Sequence, residues 1–295
     1  MHIPDSYLDI SVAIVFILLS LSVLTLSLHR LKKEKLSSLF GIVAAAIFAA
    51  QMLNWPIPGG TSAHFVGGAL AGILLGPYAG CLAMTVVLTI QALVFGDGGL
   101  IAWGANVWNM AIVGVFSGYY TYKALEKFGK TFASFIAGWL GITLAALFAG
   151  FEVGISASFK YGLQITLPVM GIWHGILGIV EGAITAGVVS YISSRRPEIL
   201  ENRAPAGKIA VLGILVMVIL SPLFAYTAEL VNYSEPLENA AELLGLPDYS
   251  VYSGLLPDYT VPGLDPYFGT LITGAIGTLV VLALAYGMVK YARNS

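Results

Sequence analysis

Charged side chains are scarce in this sequence: Asp, Glu, Lys and Arg make up 10% of the 295 residues, against roughly 25% in an average soluble domain. Hydrophobic residues reach 58%, so there is too little polar surface to clothe an ordinary soluble globule. Net charge is only −2; no nucleic-acid partner is expected, and overall charge selects no other partner. Cysteine is almost absent. The single Cys81 lies inside an apolar run and can make no intrachain disulfide. A basic stretch ahead of the first apolar run is also lacking. That run starts near Tyr7 behind His2-Ile3-Pro4-Asp5 and exceeds the core of a cleavable signal, so it reads as a retained span. There is no tandem repeat and no low-complexity tract.

What is present is a series of apolar runs near the roughly 17 to 25 residues that cross a hydrocarbon core as a helix. Their breakers place spans at about 7–29, 37–53, 63–75, 77–95, 104–122, 132–156, 167–193, 208–226 and 268–289. The expected fold is an all-α polytopic membrane protein with about nine transmembrane helices. Splitting 63–95 at Gly76-Pro77 leaves a first piece that is short for a full crossing and fits a tilted or half-membrane helix. Charge supports the split. With nine crossings, all of the 14 Lys and Arg residues except Lys160 fall on one side, including Arg30, Lys123, Lys130, Arg195, Lys208 and Lys290. By the positive-inside rule that side is the cytoplasm, which puts the N-terminus outside and the C-terminus inside.

The expected organisation is a seven-span unit over 1–195, a cytoplasmic linker over 196–207 and a two-span unit over 208–295. Between the last two spans runs an external segment, 227–267, made acidic by Glu229, Glu235, Glu238, Glu242, Asp248, Asp258 and Asp265.

Four histidines bear on chemistry. A bulky His2 normally prevents removal of the initiator methionine, so a free amine on Met1 is expected. That amine, the deprotonated His2 amide and the His2 ring close fused five- and six-membered chelate rings around a metal. A fourth nitrogen completes a plane that suits Ni(II) or Cu(II), and also low-spin Co(II), better than Zn(II) or Mg(II). His64 starts the third span on the same outer side, where Thr61 or Ser62 is expected to cap the helix; a capped helix with an interfacial histidine is the plainer reading. His29 reads as a solvated residue at a span end. His174 shares a helical face with Glu181, seven residues on, and Glu152 lies in the preceding span; a buried pair or a link to a nearby polar group is expected. Asn54, Gln91, Asp97, Asn106 and Asn109 lie near the outer side, where they either orient a ligating histidine or bridge helices. Gly129-Lys130-Thr131 approaches a phosphate loop, but Ala124 replaces its first glycine, so this chain is not expected to bind nucleotide. Small residues at Ala45 and Ala49 allow a close helix approach, from this chain or from a partner.

Taken together, Met1-His2-Ile3-Pro4-Asp5, the run from Pro56 to His64, Leu75-Gly76-Pro77, the run from Gln91 to Gly99, and Ala105-Asn106 with Asn109-Met110 resemble the M component of cobalt and nickel energy-coupling-factor transporters. The resemblance covers about residues 1–195. It implies a substrate-capture subunit for Ni(II) or Co(II), with Met1 and His2 giving three nitrogens and His64 the fourth. It further implies a cell-membrane location, a transmembrane coupling protein that meets the Ala45 and Ala49 stripe, and two cytoplasmic ATPases. Ser6 and Tyr78 depart from the residues usual there. The last part resembles the accessory N component fused in the same chain, imperfectly over Ser234 to Ala241 and better over Leu256 to Gly263. Two rivals are a vitamin-binding subunit of the same transporter class and an intramembrane enzyme using His174 with Glu152 or Glu181. Neither explains Met1-His2.

Overall fold

The computed structural model describes residues 1–31, 39–57, 61–200, 207–231, 241, 242, 245 and 251–294. Its helices are α1 (Ile10–Leu31), α2 (Leu39–Gln51), α3 (Gly68–Leu75), α4 (Pro77–Ile90), α5 (Trp103–Asn106), α6 (Gly114–Leu125), α7 (Lys130–Gly154), α8 (Leu163–Arg195), the short α9 (Pro197–Leu200), α10 (Gly207–Val231) and α11 (Pro266–Asn294). A π turn, Gln91–Phe95, extends α4, and another, Val107–Val113, joins α5 to α6. Two short strands, β1 (Trp55–Ile57) and β2 (Thr61–Ala63), pair antiparallel with Trp55 opposite Ala63. Among the described residues, six helices are long and apolar enough to cross a membrane. They leave broad apolar faces uncovered, such as Ile10, Leu18 and Leu26 on α1. In water such faces would be costly; in a bilayer they meet lipid. The chain is a multi-pass membrane protein.

The break at Gly76-Pro77 is where the sequence places it: Gly76 has φ 81° and Pro77 opens α4, a position where its missing N–H costs nothing. The segment before it differs from expectation. Thr61 to Ala63 form a strand, and α3 starts only at Gly68, behind Gly67 with φ 83°, so neither Thr61 nor Ser62 caps that helix. Eight residues rise about 12 Å, well short of a core of about 30 Å. Extended backbone among helices needs partners for its amides. Glu181 of α8 supplies them: its carboxylate accepts the Val66 N–H at 2.9 Å and the Gly67 N–H at 2.8 Å. Gln51 at the end of α2 donates its Nε2–H to the Val66 carbonyl at 2.7 Å.

Helix α2 carries the seam between the first part of the chain and the last. A Cβ placed on Gly41 would lie 3.5 Å from Ala285 of α11, one on Gly274 would lie 3.1 Å from Met52, and Gly277 abuts Phe48. Ala45 and Ala49 are fully buried, as the closely packed stripe between Gly41 and Met52 requires. The small residues therefore serve packing inside this chain. Beyond the membrane helices, Leu256 donates its N–H to Val94 at 2.7 Å and the Tyr252 hydroxyl donates to Leu93 at 3.0 Å. These bonds lay the segment from Val251 over the turn that follows α4. The weaker accessory resemblance falls on Ser234 to Ala241, of which residues 234–240 lie outside the described residues.

Candidate functional site

Chain termini usually fray, yet Met1, His2, Ile3 and Asp5 are all buried. Asn106 of α5 holds Ile3 on both sides: its Oδ1 accepts the Ile3 N–H at 2.8 Å and its Nδ2–H reaches the Ile3 carbonyl at 3.1 Å. Gly99 donates a further N–H to that carbonyl at 3.0 Å. Asp5 then locks the segment through its carboxylate, which accepts N–H bonds from Ile101 (2.7 Å), Ala102 (3.2 Å) and Val251 (3.0 Å). The Gly98-Gly99 pair makes this approach possible. Gly98 has φ 84°, and a Cβ there would lie 2.9 Å from Asn106 Nδ2 and 3.4 Å from His2; a Cβ on Gly99 would collide with Asp5. The turn at Gly98-Gly99 is therefore a cradle for the first five residues.

Within that cradle the His2 ring lies between two acceptors. Its Nε2 is 3.2 Å from Gln91 Oε1 and its Nδ1 is 3.1 Å from Asp97 Oδ1. Gln91 is itself fixed, because its Nε2–H donates to Gln51 Oε1 at 2.7 Å. Asp97 is fixed from the other end of the chain, where the Tyr259 hydroxyl donates to its Oδ2 at 2.6 Å. Tyr259 also stacks on Phe95, with ring centroids 4.5 Å apart. Burial, and then the charge of Asp97, push the Asp258 carboxyl above its usual range. Asp258 and Tyr259 have φ of 51° and 56°, a left-handed conformation costly for such side chains and kept only where neighbours enforce it.

His64, half-buried, faces His2 with ring centroids 5.4 Å apart and planes inclined by 22°. Its Nδ1 is 3.0 Å from the Phe65 carbonyl. A carbonyl only accepts, so Nδ1 carries the proton and Nε2 holds the lone pair a metal needs. Two nitrogens on one ion span at most about 4 Å at bond lengths near 2.0–2.1 Å, which this ring separation permits. The chelate of amine, amide and ring uses Nδ1 of His2, the nitrogen that meets Asp97, so a metal and Asp97 are alternatives at that atom.

The other sequence candidates divide. Gln91, Asp97 and Asn106 touch the N-terminal segment. Asn54 lies half-buried between α2 and β1. Asn109 turns away, donating to Glu152 at 2.7 Å. His174 lies 3.0 Å through its Nδ1 from the carbonyl of Met170, while Glu181 binds Val66 and Gly67, so the two carboxylates serve Asn109 and backbone amides rather than His174. Three residues were given no role at the site by the sequence reading: Gln51, Asp5 and Tyr259. Gln51 carried a signal, as an amide inside an otherwise apolar helix. Tyr259 lies in the Leu256 to Gly263 resemblance, but nothing in the sequence ties it to Asp97.

With this geometry in place, resemblance can be tested against known proteins. Residues 2–199 match the family described as the cobalt uptake substrate-specific transmembrane region, CbiM. The chain belongs to this family. Residues 232–294 match a PDGLE domain. Two relatives with provisional names reading fused nickel transport protein align along nearly the full length. NikMN of Archaeoglobus fulgidus is 69% identical over 295 residues, all of both chains. LarMN of Lactiplantibacillus plantarum is 34% identical over 324 residues, covering 98% of this chain and 97% of its own. A crystal structure of a truncated transition metal transporter superposes with a TM-score of 0.61 at 38% identity, covering 66% of this chain and 99% of that one.

Proposed function

We propose that this CbiM-family chain captures Ni(II) or Co(II) in a planar site of four nitrogens: the Met1 amine, the His2 amide, His2 Nδ1 and His64 Nε2. The observation that carries the reading is the seating of His2 and His64 ring against ring, with the N-terminal segment pinned by Asn106. Planar nitrogen coordination favours these ions over zinc or magnesium. Nickel is favoured over cobalt because both full-length relatives are named for nickel. The distribution of basic residues supports an outer-facing site, organised as a seven-span capture unit followed by a two-span accessory unit. Delivery to the cytoplasm requires work from outside this chain, and a transmembrane coupling protein with two ATPase subunits fits that need.

The test is Ni(II) titration of the purified chain, followed by the visible absorption of a planar site. Acetylating the Met1 amine removes that nitrogen without adding another and is expected to abolish that absorption; unchanged absorption and affinity would refute the N-terminal site. Substituting His64→Ala weakens binding in the same assay, and His29→Ala leaves it nearly untouched.

A further inference from the structure

A cavity of about 440 Å³ separates α2, α3 and α8 from α10. Its walls are almost wholly aliphatic, including Val43 and Ala50 of α2, Val188 of α8 and Met217 of α10. Trp55 and Phe65 line one end, and Tyr191 and Arg196 the other. The wall formed by α2 runs from Leu39 to Ala50, about 16 Å at 1.5 Å per residue, which is close to the depth of one leaflet of a core about 30 Å thick. Ile209 and Tyr191, both on the lining, are exposed, so the cavity is open at its Arg196 end. It is roughly three times the ~150 Å³ apolar cavity that takes up benzene or xenon and stays dry.

Chemistry selects the occupant. Water needs two to four polar partners, which these walls lack. A single extended lipid chain is thin and apolar, and its length suits the slot. Arg196 stands at one end, with its Nε on Glu198; Arg195, next to it, and Lys208, next to the lining residue Ile209, are both exposed, an excess of positive charge where a headgroup would lie.

We propose that this seam is a binding site for one membrane phospholipid, with an acyl or isoprenoid chain in the slot and an anionic headgroup on Arg196. The lipid joins α10 to the first part of the chain. It also backs Phe65, whose carbonyl holds His64, so it supports one wall of the candidate metal site. The proposal depends on the membrane location and not on metal capture.

Native mass spectrometry of the full chain, purified in mild detergent from vesicles of equal phosphatidylglycerol and phosphatidylcholine, tests it. One retained phospholipid per chain is expected, enriched in phosphatidylglycerol. Gly213 lines the slot, and a Cβ added there meets nothing within 4 Å. Gly213→Phe therefore fills the slot and is expected to lower retention roughly tenfold, the effect of excluding about two methylenes of buried chain. Ala46→Phe, from the facing wall, gives a second filled variant should the first misfold. Arg196→Gln removes the phosphatidylglycerol preference and leaves a lipid bound. Retention unchanged in both filled variants overturns the proposal. So does a photoreactive side chain at position 213 that labels protein and no lipid in whole membranes, which would make the slot a protein-docking groove.

Discussion

Replacing Glu181 with glutamine probes the candidate site without touching a proposed ligand. The Glu181 carboxylate is buried and accepts the N–H groups of Val66 and Gly67 at 2.9 and 2.8 Å, holding the extended backbone that follows His64. Glutamine keeps the shape but offers one carbonyl oxygen and one NH2, so one backbone amide then faces a donor. A hydrogen bond to a charged group contributes about 1.5–3 kcal/mol, and a buried amide left unpaired costs about 1–3 kcal/mol. Part of that loss is relieved if the strand shifts, and a shifted strand carries His64 out of place. Metal binding has to pull it back. At 1.4 kcal/mol per tenfold, Glu181→Gln is expected to weaken Ni(II) binding by about ten- to a hundredfold, bounded by the loss seen with His64→Ala. Calorimetric titration of the parent and both variants measures this, with His174→Ala as a control from the same helix. Binding by Glu181→Gln within about twofold of the parent, alongside a large loss for His64→Ala, would show that the seat of His64 does not depend on this clamp, and the reasoning would fail.

Two further outcomes follow from contacts at the ends of the fold. Tyr259→Phe keeps the stacking on Phe95 but removes the hydroxyl from Asp97, so the segment from Val251 to Tyr259 is expected to lose about 1.5–3 kcal/mol of protection; hydrogen exchange that is no faster in this segment than in the parent would contradict it. Asp9, just ahead of α1, is held below its usual value of 3.8 by the Ser158 hydroxyl and then the Ala157 amide. A depressed folded pKa contributes stability above the unfolded value that disappears as pH falls through the folded one. The tie between α1 and the turn after α7 is therefore expected to loosen only below about pH 4, and amide protection at Ala157 and Ser158 should show that decline in the parent and little pH dependence in Asp9→Asn.

Much of the architecture was legible because membrane helices are written as apolar runs and breakers. Gly76-Pro77 is the clearest case: a positive φ at glycine followed by proline at a helix start leaves little freedom, and the structure places the break there. The reading failed at Thr61 and Ser62, where a local capping signal gave way to a long-range one. The amides of Val66 and Gly67 find Glu181, 115 and 114 positions away, and that pairing keeps the segment extended up to Gly67. For the same reason the His174 and Glu181 face was recognised but its partner was not, since helical spacing shows which residues share a side and not what lies opposite. Ala45 and Ala49 illustrate the same limit, as a small-residue stripe announces close packing without naming the helix that packs.

The burial of the N-terminus bears on affinity as well as on geometry. Fixing a residue's backbone costs about 1–2 kcal/mol, so a terminus that ordered Met1 to Asp5 only on meeting a metal would lose about 5 kcal/mol or more from binding, over a thousandfold in affinity. Here the bonds from Asn106 and Gly99 to Ile3, and to the carboxylate of Asp5 from Ile101, Ala102 and Val251, are made by the chain itself and use none of the proposed metal-binding nitrogens. The ordering is then a cost of folding, shared with the burial of Ile3 and Tyr7, and the ion meets a site already shaped. Among the contacts it would displace is that of Asp97 with His2 Nδ1. Because Tyr259 holds Asp97 from the far end of the chain, the last part of the chain bears directly on a contact that an ion in the proposed site has to break.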